Sequence, residues 1–242
     1  MEKPVYFFAD VHLGNADSET EKERTAKLFR FLDHLYDHAG AVYIMGDLFD
    51  FWYNYTYVMP RQHFRLICRL EQLAKVVPTA FFAGNHDFWA GQFLAEETPI
   101  VFYPDEAIVT HFGQRIYLHH GDGILKRDRG YRFLKRVLRN PINIKLFRLL
   151  HPDLAFRIAK KTSHTSRFYT TSKQQILDDQ DYYEFAAERI GEGCRAVIMG
   201  HRHKPEITPI LDGWYINTGD WIHQFTYATL SPAGFSLHTF EG

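Results

Sequence analysis

Val5-Tyr6-Phe7-Phe8-Ala9-Asp10-Val11-His12 is an apolar run that stops on a carboxylate and returns, two residues later, with an imidazole. A short run of β-branched and aromatic residues of this kind is the pattern of a strand buried on both faces. Side chains two apart on extended backbone point to the same side, so Asp10 and His12 can reach one site together. The construction recurs along the chain. Ala41-Val42-Tyr43-Ile44-Met45 leads into Gly46-Asp47, and Thr79-Ala80-Phe81-Phe82-Ala83 leads into Gly84-Asn85-His86-Asp87. Ala196-Val197-Ile198-Met199 leads into Gly200-His201-Arg202-His203, and His119-His120-Gly121-Asp122 follows an alternating segment over 109–118. Residues at the carboxyl ends of such strands converge where open α/β sheets keep their active sites. Gly46, Gly84 and Gly200 let the backbone turn there without a Cβ penalty. Asp, Asn and neutral imidazole are the donors that a pair of divalent ions needs to clamp a phosphate and activate a water. The expectation is an α/β metal-dependent phosphoesterase.

Composition agrees with a catalytic globular chain. At 242 residues a substantial core can be buried, and one domain over 1–242 with an insertion at 125–175 is expected. Cys68 and Cys194 lie in apolar helix- or strand-like contexts, which points to buried free thiols and a reducing compartment. No signal peptide and no transmembrane helix are expected.

The net charge of -1 hides an asymmetry. Residues 125–175 carry fourteen Lys or Arg against Asp128 and Asp153, a net +12, and the rest of the chain carries -13. Tyr131, Phe133, Leu134, Val137, Leu138, Ile142 and Leu146 are among the apolar residues interleaved with these charges. Pro141 and Pro152 break the segment into two or three short helices, because each disfavours helix in the residue before it. Basic and apolar residues so interleaved suit an amphipathic helical cap lying on an anionic membrane surface. The same pattern also fits helices that pack on their own domain, and basic charge alone leaves nucleic acid open, although none is expected as a partner.

The order of motifs resembles the calcineurin-like metallophosphoesterase superfamily over nearly the whole chain, with every ligand position filled. That resemblance implies a four-layer α/β/β/α sandwich with the helical cap inserted after the fourth motif. It also implies two metal sites, one held by Asp10, His12, Asp47 and His203 and the other by Asp47, Asn85, His120 and His201. Asp47 would bridge them, as two cations about 4 Å apart require an anion between them. His119 competes with His120, which is preferred because it directly precedes Gly-Asp. His86 would act as general acid, with Asp87 orienting it and Asn85 beside it on the phosphate oxygens.

A narrower resemblance rests on Gly46-Asp47-Leu48-Phe49-Asp50-Phe51-Trp52 and on His120-Gly121-Asp122 followed by Asp128, Tyr131, Phe133 and Lys135-Arg136-x-x-Arg139-Asn140-Pro141. These look like the UDP-2,3-diacylglucosamine hydrolases of lipid A synthesis. The resemblance implies a manganese-dependent hydrolase that cleaves the pyrophosphate of a UDP-linked diacyl sugar, with the cap holding the acyl chains. It also implies a cytoplasmic protein peripherally associated with the inner membrane. Substrate contacts are expected from Asn85, His86, Asp128, Tyr131, Phe133 and Ser166. One departure stands out: that family typically carries Asn-Arg-Asp where this chain has Asn85-His86-Asp87. His86 is therefore the argument for a rival substrate, a soluble nucleotide or other phosphodiester. A non-catalytic scaffold of the same fold would be expected to have lost ligands, and none is missing.

Helical apolar rhythm over 21–38 and 61–76, and alternation about Phe112-Gly113-Gln114 and Ser231-Pro232-Ala233-Gly234, predict two helices and two hairpins. His34, His38, His63 and His151 fall at helix or loop positions and are expected to be surface or satisfied histidines.

Overall fold

The computed structural model describes residues 2–14, 17–157 and 172–242. Two sheets lie face to face. The first contains β1 (Val5–Phe8), β2 (Ala41–Ile44), β3 (Thr79–Phe82), β4 (Val101–Tyr103), β10 (Thr226–Ser231) and β11 (Gly234–Thr239), in the order β11-β10-β1-β2-β3-β4. The second contains β5 (Glu106–His111), β6 (Gln114–His119), β7 (Ala196–Met199), β8 (Glu206–Ile210) and β9 (Gly213–Asn217), in the order β5-β6-β7-β9-β8. The apolar runs β1, β2 and β3 pair in parallel, as do β6, β7 and β9.

Each buried strand serves two cores, which is why its sequence shows no alternation. Val5, Phe7 and Ala9 face the second sheet and meet Ile116, Leu118, Ile198 and Ile216. Tyr6 and Phe8 face the other way, onto α1 (Ser18–His38) and α2 (Phe64–Ala74), where Leu28, Phe31, Leu35, Leu66 and Leu70 pack. On the far side of the second sheet, Tyr117, Val197, Met199 and Tyr215 pack against Tyr182, Ala186 and Ile190 of the helix Ser172–Gly191. Helix, sheet, sheet and helix are thus stacked in the order expected from the resemblance.

The helix expected over 61–76 forms as α2 behind a short 3-10 turn, Arg61–His63. Both hairpins form, as β5–β6 and β10–β11. The first turns through Phe112 (φ 51°) and Gly113 (φ 73°), two consecutive left-handed residues as its tight turn requires. A third hairpin, β8–β9, and the helix α3 (Ala90–Glu97) have no counterpart in the sequence reading. Cys194 is buried and Cys68 half-buried, and both are free thiols. His63 is buried against Phe49 and Trp52, and desolvation presses its pKa down to about 4.

The basic segment follows β6. It forms α4 (Arg129–Leu138) and α5 (Pro141–Phe147), with Asn140 Oδ1 capping α5 by accepting from Ile142 N at 2.9 Å. Residues 152–157 are helical after the second proline. The helix Ser172–Gly191, α6, completes the order. Among the described residues no helix is long and apolar enough to cross a membrane.

Candidate metal centre

The chemistry-bearing residues sit where β1, β2, β3, β6 and β7 end. Five of them hold left-handed backbone: Asp10 (φ 58°), His12 (49°), Asp47 (52°), His201 (67°) and His203 (53°). Among the described residues only eight non-glycine positions have positive φ, so the strain is concentrated here. Such residues cost about 1–3 kcal/mol each and persist only where the surroundings over-determine them. Part of that constraint is backbone pairing between the turns, with Asp10 N donating to Gly46 O at 3.1 Å and His12 N to Asp47 O at 2.9 Å. Glycine is required by close approach as well. A Cβ on Gly84 would strike the Asp47 carboxylate, and one on Gly200 would lie 2.6 Å from Asp10 Oδ2.

Two three-residue groups result, Asp10–His12–His203 and Asp47–His120–His201, each with its donor atoms within 4.8 Å of one another. Hydrogen bonds from outside decide which atoms face inward. Asp10 Oδ2 accepts from His201 N at 2.7 Å. Its other oxygen, buried and without a hydrogen-bond partner, lies 3.4 Å from His203 Nε2 and 3.8 Å from His12 Nε2. Asp47 Oδ1 accepts from His86 N at 2.9 Å, while Oδ2 lies 3.6 Å from His12 Nε2 and 3.4 Å from His120 Nε2. One carboxylate oxygen therefore looks toward both groups. His120 Nδ1 donates to Met45 O at 2.7 Å, which turns Nε2 inward, 3.1 Å from Asn85 Oδ1, as the nitrogen that would meet a cation once its proton is lost. An orphaned buried carboxylate oxygen, a shared carboxylate and an imidazole oriented by a backbone carbonyl fit a pair of divalent cations.

The electrostatics agree. Burial would press His12 down, but Asp10, Asp50 and Asp47 beside it outweigh that and hold it at about 9. His120 is lifted in the same way against its burial, chiefly by Asp47, to about 10. His201, buried and facing His120, is pressed down to about 4. Burial also opposes the charge on Asp47, yet the imidazoles around it hold its carboxyl well below the usual range. The carboxylates thus favour a proton on His12 and on His120 when no metal is bound. Metal ligation needs neutral imidazole, so cation and proton compete and affinity falls as pH drops. Calorimetric titration of metal-free protein at pH 7, in buffers of different ionisation enthalpy, is expected to show about two protons released per chain. Heats independent of the buffer would contradict this.

Adjacent histidines part company at the end of β6. His119 Nδ1 accepts from Gly121 N at 2.9 Å, and its Nε2 lies 3.6 Å from Asp105, outside both groups. His86 Nδ1 donates to the Asp50 carbonyl at 3.0 Å, and its ring stands edge-on to His12 with centroids 4.8 Å apart. The group that fixes His86 is therefore Asp50. Asp87, expected in that role, accepts instead from the backbone: Asp47 N (3.2 Å) and Gly84 N (3.1 Å) on Oδ1, Phe49 N (3.1 Å) on Oδ2. It ties the Asp47 turn to the Asn85 turn. Asp50 also has Oδ1 3.4 Å from His12 Nδ1, so one residue braces both imidazoles. His12, Asp50 and His86 form a third close group, but His86 Nδ1 spends its hydrogen on a carbonyl and offers no lone pair there. Asp50 was legible only as part of Gly46-Asp47-Leu48-Phe49-Asp50, with nothing in the spacing to reveal its partners.

Of the expected substrate contacts, Asn85 and His86 lie at the centre. Tyr131 donates to Asp122 Oδ2 at 2.5 Å, two residues beyond His120. Asp128 sits at the N-terminal boundary of α4, and Phe133 is exposed (67 %). Ser166 lies outside the described residues. The basic segment leans on the loops that carry Asp47 and His86. Tyr53 donates to Ile144 O and Tyr55 to Leu150 O (3.2 Å), and Phe147 packs on Tyr53 and Trp89. Lys135 Nζ joins Asp105 (3.0 Å) to Asp122 (2.9 Å). Leu134, Ile142, Leu146, Leu149 and Leu154 remain exposed beside the cations.

Over residues 3–205 the chain matches the calcineurin-like phosphoesterase family. It is similar to proteins named UDP-2,3-diacylglucosamine hydrolase. That of Pseudomonas entomophila is 30% identical over 243 residues, covering 98% of this chain and 99% of that protein. That of Edwardsiella ictaluri is 35% identical over 202 residues, covering 83% and 76%. That of Porphyromonas gingivalis is 30% identical over 263 residues, covering 100% and 99%. Among solved structures, the E. coli phosphoesterase Yfce aligns over 98% of this chain and 93% of that one, at 16% identity and a TM-score of 0.47. The chain belongs to the calcineurin-like phosphoesterases and is a metal-dependent hydrolase.

Proposed function

We propose that this chain hydrolyses UDP-2,3-diacylglucosamine to UMP and 2,3-diacylglucosamine 1-phosphate, with Asp10, His12, Asp47 and His203 holding one Mn2+ and Asp47, Asn85, His120 and His201 the other. The observation that carries the reading is the single Asp47 oxygen facing both ligand groups, in a chain that relatives with that activity in their names match almost end to end. Bound cations would neutralise phosphate charge and make water a nucleophile at neutral pH. In the overall reaction water adds to the α-phosphorus and the bond from it to the bridging oxygen breaks, so the β-phosphate leaves on the sugar. His86, with Nδ1 held by the Asp50 carbonyl, has Nε2 left, and in its imidazolium form that nitrogen carries the proton that would pass to the departing oxygen. The Asn85 side chain, next to His120 Nε2, is placed to contact a phosphate oxygen.

The segment 125–175 serves in this reading as a cap for the acyl chains and as the contact with an anionic membrane, with a cytoplasmic enzyme lying on the inner face. Its exposed Phe133, Ile142, Leu146 and Leu149 beside basic residues support that use. The protein is expected to co-sediment with phosphatidylglycerol vesicles and to lose binding when Phe133 and Ile142 are both replaced by Asp. Equal binding to phosphatidylcholine vesicles would count against the anionic surface.

The substrate is tested by UMP release from UDP-2,3-diacylglucosamine with Mn2+ and detergent, beside a panel of soluble nucleotides and phosphodiesters. Turnover of the lipid substrate well above the panel is expected. Activity confined to the soluble panel would keep the hydrolase and remove the substrate.

A further inference from the structure

His201 and His203 keep left-handed backbone, which needs a source of constraint outside the metal centre. That source is α6. Residues 201–206 alternate: His201 and His203 turn to the ligand groups, while Arg202, Lys204 and Glu206 turn to the helix. Arg202 pairs with Asp179, stands 3.7 Å from Glu206, and lies over the Tyr182 ring at 4.9 Å. Lys204 Nζ reaches Asp179 at 2.9 Å and Glu206 at 3.0 Å, and the Tyr183 hydroxyl donates to Glu206 at 2.6 Å. Farther toward the second imidazole loop, the buried Tyr182 hydroxyl donates to Gly121 O at 2.8 Å, one residue after His120. The Arg202 and Glu206 side chains are only 10% and 11% exposed, so the contacts of Arg202 are weakly screened, whereas Lys204, 49% exposed, contributes less.

We infer that α6 is a positioning element for the metal centre: Asp179 and Tyr182 fix the loops bearing His120, His201 and His203 and so set the affinity for the cations. The inference rests on the dinuclear centre proposed above, and neither residue belongs to a ligand group. A partner hydrogen-bonded to a metal ligand is worth about 10- to 100-fold in metal affinity, and Asp179 and Tyr182 act one contact farther out, at the lower end of that range or below it.

The test is calorimetric titration of metal-free protein with Mn2+. A wild-type chain that binds no Mn2+ would remove the metal centre and this inference together. With wild-type binding in hand, Asp179→Asn is expected to bind Mn2+ about tenfold more weakly with an unchanged circular dichroism spectrum, and hydrolysis is restored by excess Mn2+. Arg202→Gln is expected to do the same, and the double variant to be no weaker than the poorer single one. A folded Asp179→Asn protein with wild-type Mn2+ affinity overturns the inference while leaving the proposed function standing. If Asp179→Asn does not fold, Tyr182→Phe decides. It removes one hydroxyl and is expected to weaken Mn2+ binding about fivefold. Unchanged affinity in that variant overturns the inference equally.

Discussion

Asp47→Ala is expected to reduce hydrolysis by roughly 100- to 10,000-fold, the rate equivalent of the ~3–5 kcal/mol lost when one partner of a buried charged set is removed. The residue does three things at once. Its Oδ2 faces His12 and His120, its Oδ1 holds His86 N, and its backbone joins the Asp10 turn through His12 N. Alanine keeps only the last. Asp47→Asn separates the first two, because an amide oxygen can still accept from His86 N but brings no charge to share between cations. The Asn variant is therefore expected to fold like wild type and to remain impaired by at least about a hundredfold. Steady-state kinetics with circular dichroism checks both variants. A folded Asp47→Ala protein with more than about a tenth of wild-type kcat would contradict the shared-carboxylate centre.

His86→Ala is expected to lower kcat about a hundredfold or more, the size of a lost general acid, with Mn2+ affinity close to wild type. The two halves of that expectation separate a catalytic group from a ligand. His86 is partly exposed, its Nδ1 is committed to the Asp50 carbonyl, and it lies outside the two groups built on Asp10 and Asp47. Losing the side chain therefore removes Nε2 from the leaving group without opening the metal centre. An unchanged kcat would make His86 a bystander. A matching loss of Mn2+ affinity would place it among the ligands instead.

The turns that carry the proposed ligands stand out in the sequence because their strands do. Val5–Phe8, Ala41–Ile44, Thr79–Phe82 and Ala196–Met199 are buried along their whole length, so each is a continuous apolar run and its end is marked by the first Asp or Gly. Asn140-Pro141 announced the start of α5 for an equally local reason: a side-chain cap followed by a residue with fixed φ. Whatever depends on distant backbone stayed hidden. The spacing of Asn85-His86-Asp87 does not reveal that Asp87 accepts from Asp47 N and Phe49 N, or that Asp50 rather than Asp87 steadies His86. The same holds for Lys135 between Asp105 and Asp122, and for Asp179 against Arg202. Periodicity encodes which face of an element is buried and carries no record of what that face meets.

Isotope tracing shows which phosphorus water attacks. UDP-2,3-diacylglucosamine is turned over in 18O-labelled water with Mn2+, and both products are weighed by mass spectrometry. One labelled oxygen is expected in the phosphate of UMP and none in 2,3-diacylglucosamine 1-phosphate. Label in the sugar phosphate, or intact lipid substrate beside hydrolysed soluble phosphodiesters, would contradict it.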